Sequence, residues 1–379
     1  MSGGMELYLH MPFCVRKCAY CDFLSFPSGA KTQRMYAKRL MEDIGVMGKR
    51  YGEIPVETIF IGGGTPSVPD SGLIVEIMEH VRHAFHVADG AEISMEANPG
   101  TVTREKLTDY RKAGINRLSF GLQSANDREL KLLGRIHTWA EFLESFTLAR
   151  ECGFANLNID LMSALPGQTC ESWKETLSRV TDLDPEHISA YSLIIEEGTP
   201  FGERYGSEEG RKLLPDEDSE REMYHETKRF LKDCGYERYE ISNYAKPGRE
   251  CRHNIGYWTG VPYLGLGLGA SSYLDDCRFT VNPDMKQYLE EKPGMFADIE
   301  KLTKKDMEEE FFYVGLRMTA GVSLSEFERR FGISAKEVYP GLMETFVKEK
   351  AAHFEGDRFV LTDYGLDVSN YIMAQFLQD

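Results

Sequence analysis

The sequence predicts an α/β fold: a parallel sheet flanked by helices, followed by a small, mostly helical C-terminal module. Three observations predict it. Six short apolar or β-branched runs in the first half each end in a polar or glycine-rich corner and give way to an amphipathic stretch, the alternation of β/α units. The runs recur at a spacing of about 25–35 residues, enough for a strand, a crossover helix and two loops. Beyond residue 300 the pattern changes to helix, helix, hairpin, helix. Periodicity alone does not choose between an open sheet and a barrel.

In order, the predicted strands are Glu6–His10, Thr58–Gly62, Glu92–Glu96, Arg117–Gly121, Asn156–Asp160 and His187–Ser192. The predicted helices between them are Thr32–Met47, Ser71–His86, Thr103–Ala113, Ala140–Cys152 and Cys170–Leu183. Thr103 and Gly114 bracket one helix, and Gly153 closes another, as cap residues do. Glu203–Glu222 is dense in charge and reads as a solvated connection, overlapping a helix over Asp216–Cys234 capped by Gly235. Tyr236–Tyr244 and Phe279–Asn282 read as strands flanking the glycine-rich stretch Gly256–Ser271, and Glu290–Asp306 as a linker. Then come helices Leu324–Phe331 and Ala335–Lys350, a hairpin over Phe354–Thr362 and a helix Tyr364–Leu377, a winged-helix-like order. Three units are expected: 1–200, 201–292 and 300–379.

The 379 residues suffice for two or three domains. An apolar fraction of 42% and a charged fraction of 28% exclude a disordered or fibrous chain. No window is long and apolar enough to predict a transmembrane helix, and Met1–Phe13 lacks the pattern of a signal peptide, so a cytoplasmic protein is expected. The net charge of −17 argues against nucleic-acid binding. Acidic residues also outnumber basic ones in the C-terminal module, so its winged-helix order predicts packing or partner docking rather than DNA contact.

Of eight cysteines, three crowd together: Cys14, Cys18 and Cys21. In a chain without an export signal such spacing reads as metal binding or catalysis before disulfides. The other five, Cys152, Cys170, Cys234, Cys251 and Cys277, read as small buried hydrophobes. A tight Cys-x3-Cys-x2-Cys loop can present three thiolates to one iron–sulfur cube, which leaves one iron open to a non-protein ligand. Structural zinc wants a closed set of four, and no fourth ligand lies nearby. This motif, just after the first strand, resembles the radical S-adenosylmethionine (SAM) superfamily. The resemblance implies a [4Fe–4S] cluster on Cys14, Cys18 and Cys21, SAM as the ligand of the open iron, and reductive cleavage of SAM to a 5′-deoxyadenosyl radical. It also implies the barrel: a partial (β/α)6 barrel of TIM-like kind.

Polar residues stand where successive strands run out. Gly62-Gly63-Gly64-Thr65 closes the second strand, and bare glycines expose backbone amides to a ligand. Glu96 ends the third, Gln123 the fourth and Asp160 the fifth; in barrels that rim is where function gathers. Together with Leu7-Tyr8-Leu9-His10-Met11-Pro12-Phe13-Cys14 and Leu133-Gly134-Arg135-Ile136-His137, these strings resemble the oxygen-independent coproporphyrinogen III oxidase family, nearly end to end. By that resemblance Tyr8, Tyr20, Gly63, Gly64, Thr65, Glu96, Gln123, Arg135 and Asp160 contact SAM. Two departures point to the family's haem chaperone (HemW) branch. The oxidases carry a fourth cysteine where this chain has Phe23, and an N-terminal extension where this chain reaches its first strand almost at once. Arg252-His253-Asn254-Ile255-Gly256-Tyr257-Trp258 also matches the branch's His-Asn-x-x-Tyr-Trp motif.

The branch implies haem binding and delivery to membrane respiratory proteins as clients, with peripheral membrane association left open. Whether the chain is an enzyme is open too; decarboxylation of coproporphyrinogen III to protoporphyrinogen IX is the alternative. Haem iron takes His, Cys, Met or Tyr as axial ligand, and its ring wants an apolar aromatic slot. His253 beside Tyr257 and Trp258 offers both, and Cys251 is a second candidate; equally, His253 can hydrogen-bond a turn with Trp258 in the core. His80, His83 and His86 read as a solvated helix end, and His137 as a residue of the barrel mouth.

Overall fold

The computed structural model describes residues 3–377, so the outermost residues of the first and last expected units fall outside it. Strands β1 (Met5–Met11), β2 (Val56–Gly63), β3 (Val87–Ala97), β4 (Arg117–Gln123), β5 (Leu157–Ser163) and β6 (His187–Ser192) pair in parallel and in sequence order. Helices α1 (Ala30–Tyr51), α2 (Ser71–Ala84), α3 (Arg104–Lys112), α4 (Asp127–Leu133), α5 (Trp139–Glu151) and α6 (Cys170–Thr181) make the crossovers. The sheet has side chains packed on both faces, so its strands are apolar throughout: Leu7, Leu9, Ile59, Leu118, Phe120 and Ile159 are all fully buried. Thr103 caps α3 by accepting from the Lys106 N–H, and Thr138 and Thr169 open α5 and α6 with reciprocal capping boxes.

The barrel does not close. Helices α7 (Pro200–Tyr205), α8 (Glu208–Arg211) and α9 (Glu217–Asp233) follow β6. The free edge of β6 is then taken by the antiparallel β8 (Asn243–Ala245), itself paired with β7 (Glu237–Arg238). After α10 (Arg252–Thr259), β9 (Tyr263–Leu266) enters parallel to β1. An antiparallel meander of β10 (Ser271–Leu274), β11 (Cys277–Thr280) and, after α11 (Met285–Glu290), β12 (Ala297–Lys301) extends the sheet to twelve strands.

Several expectations are corrected here. The charged stretch Glu203–Glu222 is mostly helical, because Phe201 and Tyr205 anchor α7 against Leu133, Met162 and Leu165. Tyr236–Tyr244 is a hairpin rather than one strand, turned where the Glu240 carboxylate accepts the Ser242 N–H. Gly256–Ser271 contains the end of α10 and the whole of β9. Within the expected linker Glu290–Asp306, β12 pairs through its backbone with β11, although its side chains are almost all exposed. Ala335–Lys350 is two helices, α14 (Ala335–Val338) and α15 (Leu342–Lys348), broken by Pro340 and by Gly341 at φ +74°. Tyr364–Leu377 is likewise two, α16 (Asp363–Asp367) and α17 (Ser369–Ala374).

The C-terminal segment buries a core of its own. Helix α12 (Lys304–Gly315) supplies Phe312, which stacks on Phe376 with centroids 4.4 Å apart and meets Phe327 and Tyr339. Helix α13 (Leu324–Phe331) follows the predicted span residue for residue, and β13 (Val322–Ser323), β14 (Ala352–Glu355) and β15 (Arg358–Leu361) form a three-stranded sheet.

Candidate functional site

The loop after β1 is tied down before any ligand is considered. The Cys14 N–H bonds the Phe26 carbonyl, the Ala19 N–H the Leu133 carbonyl, and the Arg16 guanidinium donates to the Gly134 carbonyl at 2.7 Å. Cys14, Cys18 and Cys21 thereby line one cavity of about 460 Å³ at the C-terminal ends of the parallel strands. Cys14 Sγ lies 3.4 Å from Thr65 Oγ1, and the Arg135 guanidinium donates to Cys18 Sγ at 3.4 Å. Burial raises the Cys21 thiol, against which a backbone N–H works. Among the described residues no three His, Cys, Asp or Glu side chains converge as a single ion requires. Cys14, Cys18 and Cys21 are free thiols on one cavity, and thiolate is the donor that iron–sulfur clusters take.

Tyr20, Gly63, Gly64, Thr65, Glu96, Gln123, Arg135 and Asp160 line the same cavity. Gly63 sits at φ +114°, and a β-carbon there would run into the His10 ring; one on Gly64 would stand 2.9 Å from Phe13 backbone atoms. Both positions therefore require glycine. The Gly63 N–H donates to Glu96 Oε2 at 3.0 Å. Burial, aided by the Asp160 carboxylate, pushes Glu96 up to about 8 despite that bond. Burial also raises Asp160, while Ser119 and Asn158 donate to its two oxygens. Arg135 donates to Asn98 Oδ1 at 2.7 Å and to the Gly121 carbonyl, so its cation is fixed beside the thiols. Gln123 accepts from the Tyr191 hydroxyl at 2.9 Å and holds a left-handed φ of +75°, a strained backbone of the kind that gathers at binding sites.

A second cavity, of about 720 Å³, opens between the β1–β9–β10 face of the sheet and the C-terminal segment. Tyr257, Trp258, Tyr263, Tyr273 and Phe311 supply aromatic wall, and Met307 and Met318 line it too. Tyr8 faces this cavity rather than the thiol-lined one, with its hydroxyl 3.0 Å from His10 Nδ1. Phe23, Gly63 and Glu96 line both cavities. His253 lines neither. Its ring is 1% exposed and bonded at both nitrogens, Nδ1 to Thr58 Oγ1 at 2.6 Å and Nε2 to the Tyr257 hydroxyl at 3.0 Å. Burial, with a smaller push from Arg117, lowers it to about 3 and keeps it neutral. No ring nitrogen is thus free for an axial bond in this conformation. Cys251 is buried with its Sγ 3.4 Å from Glu92 Oε1, away from both cavities.

Residues 8–180 match the model of the radical SAM superfamily, and residues 302–368 that of the HemN C-terminal domain. The heme chaperone HemW of Bacillus subtilis is 35% identical, with 98% of each chain covered. The Escherichia coli heme chaperone HemW is 34% identical, covering 99% of this chain and 98% of its own. The chain belongs to the HemW heme chaperone family. Coproporphyrinogen III oxidase (HemN) from Escherichia coli, a solved structure, shares the fold at a TM-score of 0.85 with 23% identity, over 100% of this chain and 91% of that one.

For a member of the HemW family, sequence reasoning left parts of these cavities unassigned. Asn98 and Tyr191 orient Arg135 and Gln123. Asn98 stands two residues beyond Glu96, at a strand end where polar residues gather; Tyr191, inside a predicted strand, gave no signal. The arginines of the larger cavity come from β11, α13 and β15 and share no local motif. His80, His83 and His86 are exposed, as expected. His137 is buried, lowered to about 3 by burial and by Arg135, and faces neither cavity. Among the described residues no helix is long and apolar enough to cross a membrane.

Proposed function

We propose that the chain is a haem chaperone that carries a SAM-ligated [4Fe–4S] cluster in the smaller cavity and haem in the larger one. The observation that carries this is the aromatic cavity itself. Its volume falls within the range of about 300–1,000 Å³ of sites that enclose small ligands, and the seven aromatic side chains that line it, Tyr8 and Phe23 among them, suit a flat macrocycle. Cys14, Cys18 and Cys21 hold the cluster, and Gly63, Gly64, Thr65, Glu96, Gln123, Arg135, Asp160 and Tyr20 surround SAM. Tyr8, expected beside SAM, lines only the larger cavity and is left out of this set. When bound, the cluster and SAM supply one-electron chemistry. The chain's own part is to position them: Glu96 and the Gly63 amide receive polar groups, and Arg135 balances thiolate charge.

His253 enters this reading as the residue that sets the Tyr257 hydroxyl, and ligation through its own ring requires its release from Thr58 and Tyr257. The units 1–200, 201–292 and 300–379 then serve as the cofactor barrel, the extension carrying the His-Asn-x-x-Tyr-Trp motif and the lid of the larger cavity. The working place is the cytoplasm, where eight free thiols persist, and the clients are haem-requiring respiratory membrane proteins. Likeness to HemN rests on fold and supports no oxidase step in this chain.

The test is product analysis after anaerobic cluster reconstitution, with coproporphyrinogen III, SAM, a reductant and cell extract as electron acceptor, beside a haemin titration. One haem per chain and no protoporphyrin is the expected result. Repeated turnover to protoporphyrinogen overturns the chaperone reading.

A further inference from the structure

Three arginines, Arg278, Arg330 and Arg358, line the larger cavity, and they are not equivalent. Arg278 is neutralised by Glu310, with Nε 2.9 Å from Oε1 and a terminal nitrogen 2.7 Å from Oε2. Arg330 and Arg358 donate only to backbone carbonyls: Arg330 to Thr259 and Gly260, Arg358 to Ala320 and Gly321. Neither makes an ion pair with a carboxylate among the described residues. Two acids, Glu326 and Asp357, act on them electrostatically, and both are already hydrogen-bonded elsewhere. Glu326 is held at both oxygens by Arg329, and Asp357 accepts from Ser323 and Ser325. A chain of net charge −17 thus presents, on the exposed rim of an aromatic cavity, two guanidiniums that neighbouring acids act on from a distance and that no carboxylate bonds.

We infer that Arg330 and Arg358 receive the two carboxylates of a planar, otherwise apolar tetrapyrrole, and that they set the cavity's preference for a dicarboxylate over more highly carboxylated porphyrins. The inference rests on the proposed haem reading and names the residues that read the ligand's charge. A guanidinium presents its donors as a flat fork that matches a carboxylate, and charge-assisted bonds of this kind are the strong ones. Its position on the rim suits a ligand whose ring enters the aromatic wall while its acids stay near water. The count matters as well. Haem carries two propionates, and two guanidiniums are free; coproporphyrinogen III carries four carboxylates, and the third arginine is spoken for by Glu310. Both free arginines come from the C-terminal module, α13 and β15, whereas Tyr257, Trp258, Tyr263 and Tyr273 belong to the sheet side.

The probes are haemin, haemin dimethyl ester and coproporphyrin III, titrated spectroscopically into the full-length protein. The wild type is expected to bind haemin about tenfold or more tightly than the ester, a difference of about 1.4 kcal/mol or more, and to bind coproporphyrin more weakly than haemin. Arg330→Gln and Arg358→Gln are each expected to weaken haemin severalfold and leave the ester unchanged, with Arg358→Lys recovering part of the loss. Equal affinity of the wild type for haemin and ester overturns the inference and leaves the haem reading standing, as does an equal loss of both probes in the variants. Failure of the wild type to hold haemin at all overturns both. Should a variant not fold, the comparison of haemin with ester on the wild type decides alone.

Discussion

Glu96 and Glu6 show how much a single buried carboxyl can report. Glu96 takes the Gly63 N–H, yet burial and Asp160 hold it near 8, so at neutral pH it is largely protonated. A ligand ammonium brought beside it favours the ionised form. Since an α-amino group itself loses its proton near about 8, SAM affinity, measured by calorimetry on the reconstituted protein, is expected to pass through a maximum near about pH 8, and Glu96→Gln to remove the rise on its acid side. Glu6 lies under α10, also pushed up to about 8 by burial, with Oε2 lacking a hydrogen-bond partner. Its pKa is raised on folding, so its contribution is fully favourable below the ordinary value of 4.5 and is lost as pH rises through about 8. Glu6→Gln is accordingly expected to stabilise the fold more at about pH 9 than at about pH 6, by on the order of a few kcal/mol at the higher pH, read as a larger rise in the thermal midpoint. A gap that does not widen with pH would show that Glu6 is not the group being titrated. The three thiols give the plainest test: Cys14→Ser, Cys18→Ser and Cys21→Ser should each lose iron on reconstitution, and one that keeps the wild-type iron content and visible absorbance is not a ligand.

At the scale of elements, what could be read in the sequence was what carried a side-chain pattern. The six parallel strands are buried on both faces, so their apolar runs stand out between capped helices, and His187–Ser192 falls where expected to the residue. The rim residues Glu96, Gln123 and Asp160 could be read for the same reason, each being a polar interruption where a run ends. Elements held by backbone or by distant partners could not. Strand β12 pairs with β11 while showing nearly all its side chains to solvent, so nothing in its composition marks it as sheet. Helix α7 hides in charged sequence because only Phe201 and Tyr205 are buried. His253 carried two readings; Tyr257, four residues on in α10, is within reach of helical spacing, but the bond to Thr58 on β2 lies outside what spacing can show. Helix α10 meets β1 where Gly256 rests on the Glu6 carboxyl, and a β-carbon there would collide with it. Gly256→Ala is expected to cost about 1–3 kcal/mol by overpacking, read as a lower denaturation midpoint, and Glu6→Ala in the same chain to recover part of it.

The whole molecule depends on how its C-terminal module sits on the sheet. A bridge between Glu240 and Met318, the Thr319 N–H on the Tyr239 carbonyl, and the Arg221–Asp367 pair join them. Glu240 is 1% exposed at its side chain, and Arg317, 3.5 Å away, is its cationic partner while also covering the Trp258 ring at 4.4 Å. Arg317→Met leaves that carboxylate buried without a counter-charge, a loss of about 3–5 kcal/mol when the charge stays. Since burial already raises Glu240, part of the loss is relieved by protonation. The expected outcome is faster proteolysis between the two cores and weaker haemin uptake together; unchanged proteolysis would place the strength of the joint elsewhere. The wall formed by Phe23, Gly63 and Glu96 has a further consequence. In the proposed reading one surface faces two occupants, so the binding equilibria on its two sides form a closed thermodynamic cycle. Whatever factor SAM imposes on haem affinity, haem must impose on SAM affinity. The same number can therefore be measured from either side, and a mismatch between the two titrations would mean that one of them had not reached equilibrium.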